Sequence, residues 1–548
     1  MAITLHFDGQ STTVPFVGGR SVLEYAAEAG WHLDAKCGGH GTCGACNVLL
    51  GAGSYRIFEI DLALSSTQRR EALACQTLVL EDGAEIFLPR KSLIAFEGAR
   101  IVDEAILPPH EHDPRFPKGY GLAVDIGTTT VVAALLDLST GKTIHRESLY
   151  NQQILKADDV ISRISLCNEK EGLDELQSLV VEHTLNPLLR KLSRKAKISR
   201  DEIIHVALSG NTVMMHLFFG LSPLPIGTVP FTPPSRTFEM PAKDLGLCIH
   251  PEAVVEAIPA ISGYVGGDIV SDLLVSNLPD RKGLAVLIDI GTNGEMVASL
   301  DGKMTACATA AGPAFEGAGL LHGMRAAARA IDTIEYNEQL DFKYTVIGDD
   351  PYPLGLCGSA IIDFIAEGFR CGLINFMGRY DIDLLKKQNR HTLVGDMHAC
   401  ILVPAEQSAS GEAIIITEFD LAEILKAKAA VYAGLKTLLI ELGKTVSEID
   451  QLVLAGGFAK HIRLKNAVAI GLLPDLDLEK YEIIGNGSLA GAALALLNQE
   501  TQKTALELID RPQTISLNLT PHFTNLYQEA LALPNLDEED FPSVFQNL

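Results

Sequence analysis

Leu122-Ala-Val-Asp125-Ile-Gly127-Thr128-Thr129-Thr130-Val-Val-Ala-Ala-Leu-Leu-Asp137 and Val286-Leu-Ile-Asp289-Ile-Gly291-Thr292-Asn293-Gly-Glu295-Met-Val-Ala-Ser-Leu300 share one layout. Each is an apolar strand running into Asp-Ile-Gly-Thr, then a second apolar strand. A Gly-containing turn follows, Ser139-Thr-Gly-Lys142 in the first copy and Asp301-Gly-Lys303 in the second. A second matched pair lies further along each half. Val206-Ala-Leu-Ser-Gly-Asn-Thr212 and Leu452-Val-Leu-Ala-Gly456-Gly457-Phe458 are each a strand, a small-residue turn and the start of a helical pattern. Two features repeated in the same order imply a duplicated α/β fold with two similar lobes, over residues 119–282 and 283–502.

Upstream, residues 1–93 read as a separate α+β unit. Ile3, Leu5 and Phe7 alternate with polar residues up to the Asp8-Gly9 turn, and Val14 and Phe16 resume the alternation, which is a hairpin signal. Ser21-Val-Leu-Glu24 is a capping box opening a helix that Gly30 stops. Apolar runs at 48–50, 77–80 and 86–88 are short strands, so a small sheet crossed by one helix is expected. Residues 94–118, with four prolines between Leu107 and Pro117, read as an extended, semi-stiff linker. Residues 503–548 read as a C-terminal extension whose Asp537-Glu-Glu-Asp540 end is solvated.

Bulk properties narrow the function. The chain has 548 residues, 47% of them hydrophobic and 21% charged, enough to bury a large core. A formal net charge of -25 argues against nucleic acid as a partner, because neutralising phosphates needs clustered Lys and Arg. The N-terminus has no basic segment followed by an apolar run, and no stretch is long enough to cross a membrane; a cytoplasmic protein with no membrane partner is expected. Ten cysteines in 548 residues are too few for a disulfide scaffold.

Four of the ten have ligand spacing. Cys37-Gly-Gly-His-Gly-Thr-Cys43-Gly-Ala-Cys46 is followed by Cys75 after 28 intervening residues. Plant-type [2Fe–2S] clusters use C-x4-C-x2-C and a distant fourth cysteine; here the first gap is five. A loop wrapped around a cluster needs glycines so that bare backbone can approach the sulfides, and Gly38, Gly39, Gly41 and Gly44 supply them. Zinc is the alternative, although zinc ribbons pair two short knuckles whereas three ligands crowd one loop here. His40 reads as loop surface, and Cys167, Cys248, Cys307, Cys357, Cys371 and Cys400 read as small buried hydrophobes. The segment resembles [2Fe–2S] ferredoxins of the adrenodoxin kind, which implies a β-grasp fold.

The duplicated region lacks a Walker A motif. A Gly-containing hairpin instead turns backbone N–H groups toward an anion, and the threonines add hydroxyl donors. Aspartates at strand ends suit hydrated Mg2+. The bare Gly456-Gly457 turn lets a bulky ligand approach. Ala310–Gly319 and Gly355–Ala360 are further Gly-rich turns, read as either cleft lining or plain loop, and Gly263–Asp268 reads as either a lobe hinge or mere turn chemistry. The set resembles the actin/Hsp70/sugar-kinase ATPases, an RNase H-like fold. That resemblance implies a first phosphate motif at Asp125 with Gly127, Thr128, Thr129 and Thr130, a second at Asp289, Gly291, Thr292 and Asn293, and an adenosine motif at Gly456-Gly457, with Asp125 and Asp289 as the catalytic, Mg-ATP-serving pair.

A ferredoxin joined to an ATPase suggests energised electron transfer. Plant-type clusters sit near about -400 mV, and moving one electron further uphill costs about 2.3 kcal/mol per 100 mV. The arrangement, to the Ser516–Ala530 segment, resembles the reductive activators of corrinoid proteins over essentially the whole chain. The family implies ATP-powered reduction of an inactive Co(II) corrinoid protein to Co(I), a low-potential electron donor, and a homodimer. One departure is that some members carry an extra domain before the nucleotide-binding part, for which residues 94–118 leave no room. Activation of another low-potential enzyme, a small-molecule kinase and a redox-responsive nucleotide-binding protein remain alternatives.

Overall fold

The computed structural model describes residues 2–7, 10–31, 33, 41, 46–89, 92, 106–157 and 159–546. It forms two compact units, one of residues 1–98 with 152–163, the other of 99–151 with 164–548. No helix among the described residues is long and apolar enough to cross a membrane.

In the first unit, β1 (Ala2–Phe7) and β2 (Gln10–Pro15) pair antiparallel, as the alternation predicts. β3 (Asn47–Leu50), β4 (Gly53–Ile57), β5 (Ile60–Leu64), β6 (Arg70–Leu73), β7 (Thr77–Val79) and β8 (Glu85–Phe87) complete two sheets, ordered β2-β1-β8-β3-β6 and β5-β4-β7. The helix Val22–Glu28 begins at the capping box: Ser21 N–H donates to Glu24 Oε2 at 2.7 Å and Glu24 N–H to Ser21 Oγ at 3.3 Å. Its Val22, Tyr25 and Ala26 are buried with Ile3, Leu5, Val48, Leu50 and Ile86, so helix and sheet share one core. The β4–β5 hairpin lies outside the sequence expectation because its exposed residues carry no clean alternation.

In the second unit the duplication appears as strand order. β9 (Tyr120–Ile126), β10 (Thr130–Asp137), β11 (Lys142–Tyr150), β12 (Ile203–Gly210), β13 (Phe238–Pro241) and β14 (Val254–Ala257) form a sheet ordered β11-β10-β9-β12-β14-β13. In the second half come β15 (Leu284–Ile290), β16 (Gly294–Leu300) and β17 (Lys303–Thr309). Two three-stranded sheets follow, built from β18 (Ala330–Glu335), β19 (Lys343–Val346) and β20 (Gly355–Leu356), and from β21 (His391–Val394), β22 (Met397–Val403) and β23 (Ile414–Thr417). Finally β24 (Gln451–Ala455), β25 (Tyr481–Gly485) and β26 (Gln513–Thr514) close the large sheet β25-β24-β15-β16-β17-β26. In both copies the first three strands are antiparallel neighbours. The fourth and fifth strands of the repeat, β12 and β14 in the first copy and β24 and β25 in the second, run parallel to the first, with β13 an added antiparallel edge strand.

Helices Gly267–Ser276 and Gly487–Leu497, each following the fifth strand of its copy, pack against one another. The second also lies on β9 and β12, so the end of the second half returns to the first sheet. The helix–helix contact is glycine-mediated: a Cβ on Gly491 would stand 2.3 Å from Ser271 Cβ, and one on Gly487 2.0 Å from Asp272 Oδ1.

Both ends of this unit differ from the sequence reading. The linker's second half is strapped down: Asp113 N–H donates to the Leu497 carbonyl at 2.9 Å, Gln499 N–H donates to the Asp113 carbonyl at 3.0 Å, and Leu107 and Phe116 pack on the core. The C-terminal stretch packs on the second lobe, and of its acidic end Glu538 and Glu539 are exposed while Asp537 and Asp540 are half-buried. Helix Glu500–Leu508 runs through the expected boundary at 502, and Leu517, Ala530, Leu533 and Phe541 are buried in the second-lobe core. Lys436 pairs with Asp537 and Asp540, and the buried Lys428 donates to the carbonyls of Ala532 and Pro534.

Candidate functional site

The C-terminal ends of β9, β12, β15, β24 and β25 meet at a cavity of about 340 Å³, within the size range of small-ligand sites. It is lined by Asp125, Gly127, Thr128, Thr129 and Thr130 from one half and by Asp289, Gly291, Thr292, Asn293, Gly456 and Gly457 from the other. The structure thus brings every sequence-derived nucleotide residue to one place. From the Gly-rich turns come Phe315, Glu316, Cys357, Gly358, Ser359 and Asp268.

Two turns face the cavity with main-chain geometry. Gly127 N–H closes its turn on the Thr130 carbonyl at 3.1 Å, where a Cβ would lie 2.6 Å from that oxygen; Gly291 N–H closes on the Asn293 carbonyl at 3.0 Å. Thr292 Oγ1 donates to Glu316 Oε1 at 2.8 Å. Gly456 has φ +91° and a Cβ there would stand 2.6 Å from Asp289 Oδ1, so only glycine fits the turn that brings β24 beside Asp289. Phe458 stacks on Phe315 with ring centroids 5.6 Å apart and planes at 24°, giving an apolar wall at that end.

Several residues at the site carry no local sequence signal. Asn486 Nδ2 donates to Asp125 Oδ2 and Ser488 Oγ donates to Asp125 Oδ1, each at 2.8 Å. Ser488 also meets Ser209 at 3.0 Å, and Ser209 meets Ser271 at 2.8 Å, a hydroxyl chain joining both cavity helices to β12. Arg325 lies 4.8 Å over the Tyr150 ring and is the one Lys or Arg among the described lining residues.

The electrostatics are lopsided. Burial pushes the Asp268 and Asp289 carboxyls up to about 7, reinforced at both by Asp125 and at Asp289 by Asp268 as well. Burial also raises Asp125, against which the Asn486 and Ser488 hydrogen bonds act, and it drives Asp272 and Glu295 well above the usual carboxylate range. Buried carboxylates without a cation cannot all ionise. An oxygen-only, strongly anionic donor set beside two phosphate-sized turns fits a hard divalent cation that keeps several waters, which is Mg2+.

In the first unit, Cys46 Sγ and Cys75 Sγ are 3.4 Å apart, close enough for both to bind one metal through bonds of about 2.3 Å. Gln76 Nε2 donates to Cys75 Sγ at 3.7 Å. Gly41 has φ +76°, and a Cβ there would meet Gln76 Cγ at 2.7 Å, so the backbone at Gly41 lies close against Gln76. These features fit an iron–sulfur cluster; Cys37, Cys43 and His40 lie outside the described residues. Among the described residues no group of three or more His, Cys, Asp or Glu side chains is gathered closely enough to hold a metal ion by itself. Of the other cysteines, Cys307, Cys357 and Cys400 are buried, and Cys167, Cys248 and Cys371 are half-buried.

Comparison with known proteins adds an independent view. Residues 5–80 match the 2Fe-2S iron-sulfur cluster binding domain, residues 120–281 the RACo middle region, and residues 283–545 the C-terminal domain of RACo, the ASKHA domain. The middle region is the first half of the duplicated unit, and no family match falls on residues 94–118. The chain is 36% identical over 442 residues to the corrinoid activation enzyme RamQ of Eubacterium limosum, covering 79% of this chain and 73% of that one. It is 23% identical over 442 residues to a [Co(II) methylated amine-specific corrinoid protein] reductase of Methanosarcina barkeri, covering 74% and 76%. Among solved structures, a reductive activator for corrinoid,iron-sulfur protein superposes with a TM-score of 0.75 at 30% identity over 99% of this chain and 100% of that one.

Proposed function

The chain belongs to the family of reductive activators of corrinoid proteins, and we propose that it couples ATP hydrolysis in the cavity between its two sheets to reduction of a Co(II) corrinoid protein. It is an ATP-dependent metalloprotein reductase that carries a [2Fe–2S] cluster and uses Mg-ATP. The acceptor is a corrinoid protein, returned to Co(I) by one electron, and a low-potential donor refills the chain. The observation that supports this most directly is the convergence of the two Asp-Ile-Gly-Thr turns on one anionic cavity, in a chain that also places Cys46 and Cys75 within metal-sharing distance.

Cys37, Cys43, Cys46 and Cys75 hold the cluster, which when bound supplies one electron at low potential. Mg2+, when bound, would supply positive charge to the phosphates. The remaining work belongs to the protein. Asp125, held at both oxygens by Asn486 and Ser488, and Asp289 orient the hydrated cation. The Gly127–Thr130 and Gly291–Asn293 turns receive the phosphates through backbone N–H groups and hydroxyls. Gly456 and Gly457 leave room for adenosine against Phe458. Asp268, whose carboxyl titrates near neutrality, is placed beside the phosphate turns to take the proton released when water attacks the terminal phosphate.

The test is anaerobic absorbance spectroscopy of a Co(II) corrinoid protein mixed with this protein and a low-potential reductant. Co(I) is expected only when Mg-ATP is present, and not with Asp125→Ala or Cys75→Ser. Failure to form Co(I) on any corrinoid partner, with cluster and ATP turnover intact, would refute the reading and favour another low-potential acceptor.

A further inference from the structure

The Ser209-Gly-Asn-Thr212 turn after β12 is the first-half counterpart of the Ala455-Gly-Gly turn after β24, yet where the second half has bare glycine the first has a side chain, Asn211. Asn211 is 6% exposed and lines the cavity. Its Oδ1 accepts Val213 N–H at 3.0 Å and caps the helix Thr212–Phe218. That bond fixes which way the amide points, because a flip would set two donors against each other. Its Nδ2 has no hydrogen-bond partner among the described residues.

The backbone of Asn211 cannot retreat. Gly210, at φ +154°, presses against the Ile126 carbonyl, where a Cβ would stand 2.6 Å away. On the other side, a Cβ on Gly266 would stand 2.8 Å from Asn211 Cα and 2.7 Å from Asp268 Oδ1. The backbone that carries this oriented amide is therefore held between Gly266 and the Ile126 carbonyl, and the amide has nothing to donate to. Buried donors left unpaired are costly and rare, and where one lines a ligand cavity the acceptor arrives with the ligand.

We infer that Asn211 is a ligand of the terminal phosphate of bound ATP and discriminates ATP from ADP. This rests on the nucleotide reading of the cavity. The approximate two-fold relation of the halves gives the position. Adenosine lies at the turn after β24, and the phosphates cross the two Asp-Ile-Gly-Thr turns. The equivalent turn after β12 then stands at the far end of the phosphate chain. The donor N–H meets an oxygen that ADP lacks. Through Thr212, whose Oγ1 donates to the Ser262 carbonyl at 2.6 Å, the same turn is tied to the loop that leads into Asp268.

Calorimetric titration of the full-length protein with ADP and with a non-hydrolysable ATP analogue, both with Mg2+, tests this. The variants are Asn211→Ser and Asn211→Asp, whose side chains cap a helix as well as asparagine does, and Asn211→Ala, which does not. The expected result is about 10- to 100-fold weaker binding of the ATP analogue in all three, the scale of a hydrogen bond to a charged group. The loss should be largest for Asn211→Asp, which opposes phosphate with a carboxylate, and ADP affinity should be unchanged in Ser and Asp. Wild-type affinity for the analogue in Asn211→Ser and Asn211→Asp, with only Asn211→Ala impaired, would leave the residue a helix cap and overturn the inference. Equal losses for ADP and analogue would overturn it too. Wild-type protein that binds neither nucleotide would fail the cavity reading itself, and the inference with it.

Discussion

Asn486 Nδ2 stands 2.8 Å from Asp125 Oδ2, a hydrogen bond that closes 361 residues of sequence at the centre of the cleft. With Ser488 on the other oxygen, both lone-pair faces of a buried carboxylate are oriented by one turn. Each bond favours the ionised form of Asp125 against the burial that raises it. Ser488→Ala removes one of them without touching the Asn486 cap. ATP turnover should fall by about 10- to 100-fold, the value of a hydrogen bond to a charged group. The acid limb of the pH–rate profile should move to higher pH. An unchanged profile would mean that Ser488 serves packing alone.

The nucleotide-free protein should be acid-tolerant in an unusual direction. An unfolded aspartate titrates near about 3.9, whereas Asp268 and Asp289 are raised to about 7 by burial and by repulsion from neighbouring carboxylates, Asp125 above all for Asp268. Between those values the native state holds more protons than the unfolded one, so this contribution falls as pH rises from about 4 to about 7. Added Mg2+ should restore stability on the alkaline side by supplying the missing positive charge. Thermal melts across this range, with and without Mg2+, measure it. Asp268→Asn should flatten the slope and shrink the Mg2+ effect; a wild-type melt independent of both pH and Mg2+ would contradict the charge assignment.

What could be read in the sequence follows from how local each constraint is. Asp-Ile-Gly-Thr is legible because a tight strand-to-strand turn demands glycine and small residues at fixed offsets, and its repetition exposes the duplication. Ser21 and Glu24 are legible for the same reason. Asp268, Asn486 and Ser488 are not, since their work arises only when the fifth strands of both halves bring two helix starts together. Each alone looks like ordinary helix-start chemistry. The usable signal was the repeat carried one strand further, Gly266-Gly267-Asp268 against Asn486-Gly487-Ser488. The strap at Asp113 uses backbone groups, which composition does not report. Phe541, set beside an acidic run, carries no sequence signal of burial, although its ring is fully buried 5.0 Å from Tyr432.

Gly491 is the point where the two cavity helices touch, with no room for a methyl group beside Ser271. Gly491→Ala should cost about 1–3 kcal/mol through overpacking, read as a lowered melting temperature. Because the same helix begins at Asn486 and Ser488, the substitution should also weaken Mg-ATP binding, while Ala492→Gly, in the next position, should affect stability alone. Gly491→Ala with wild-type nucleotide affinity would separate the helix crossing from the site.

The C-terminal stretch gives the sharpest contrast between the two readings of the chain. A solvated tail would tolerate Phe541→Ala without consequence. In the structure Phe541 is sealed in the second-lobe core, Lys436 pairs with Asp540 beside it, and Lys428 holds the carbonyls of Ala532 and Pro534. Phe541→Ala should therefore destabilise by about 3–5 kcal/mol, as for other buried aromatic truncations. Lys428→Ala should add the penalty of two buried carbonyls left unpaired, about 1–3 kcal/mol each. Denaturant unfolding followed by far-ultraviolet circular dichroism measures both, and limited proteolysis should open the chain beyond residue 510 first. The [2Fe–2S] absorbance should persist in these variants, because the cysteine ligands belong to the other compact unit. Wild-type stability for Phe541→Ala would contradict the burial of this end in the second-lobe core.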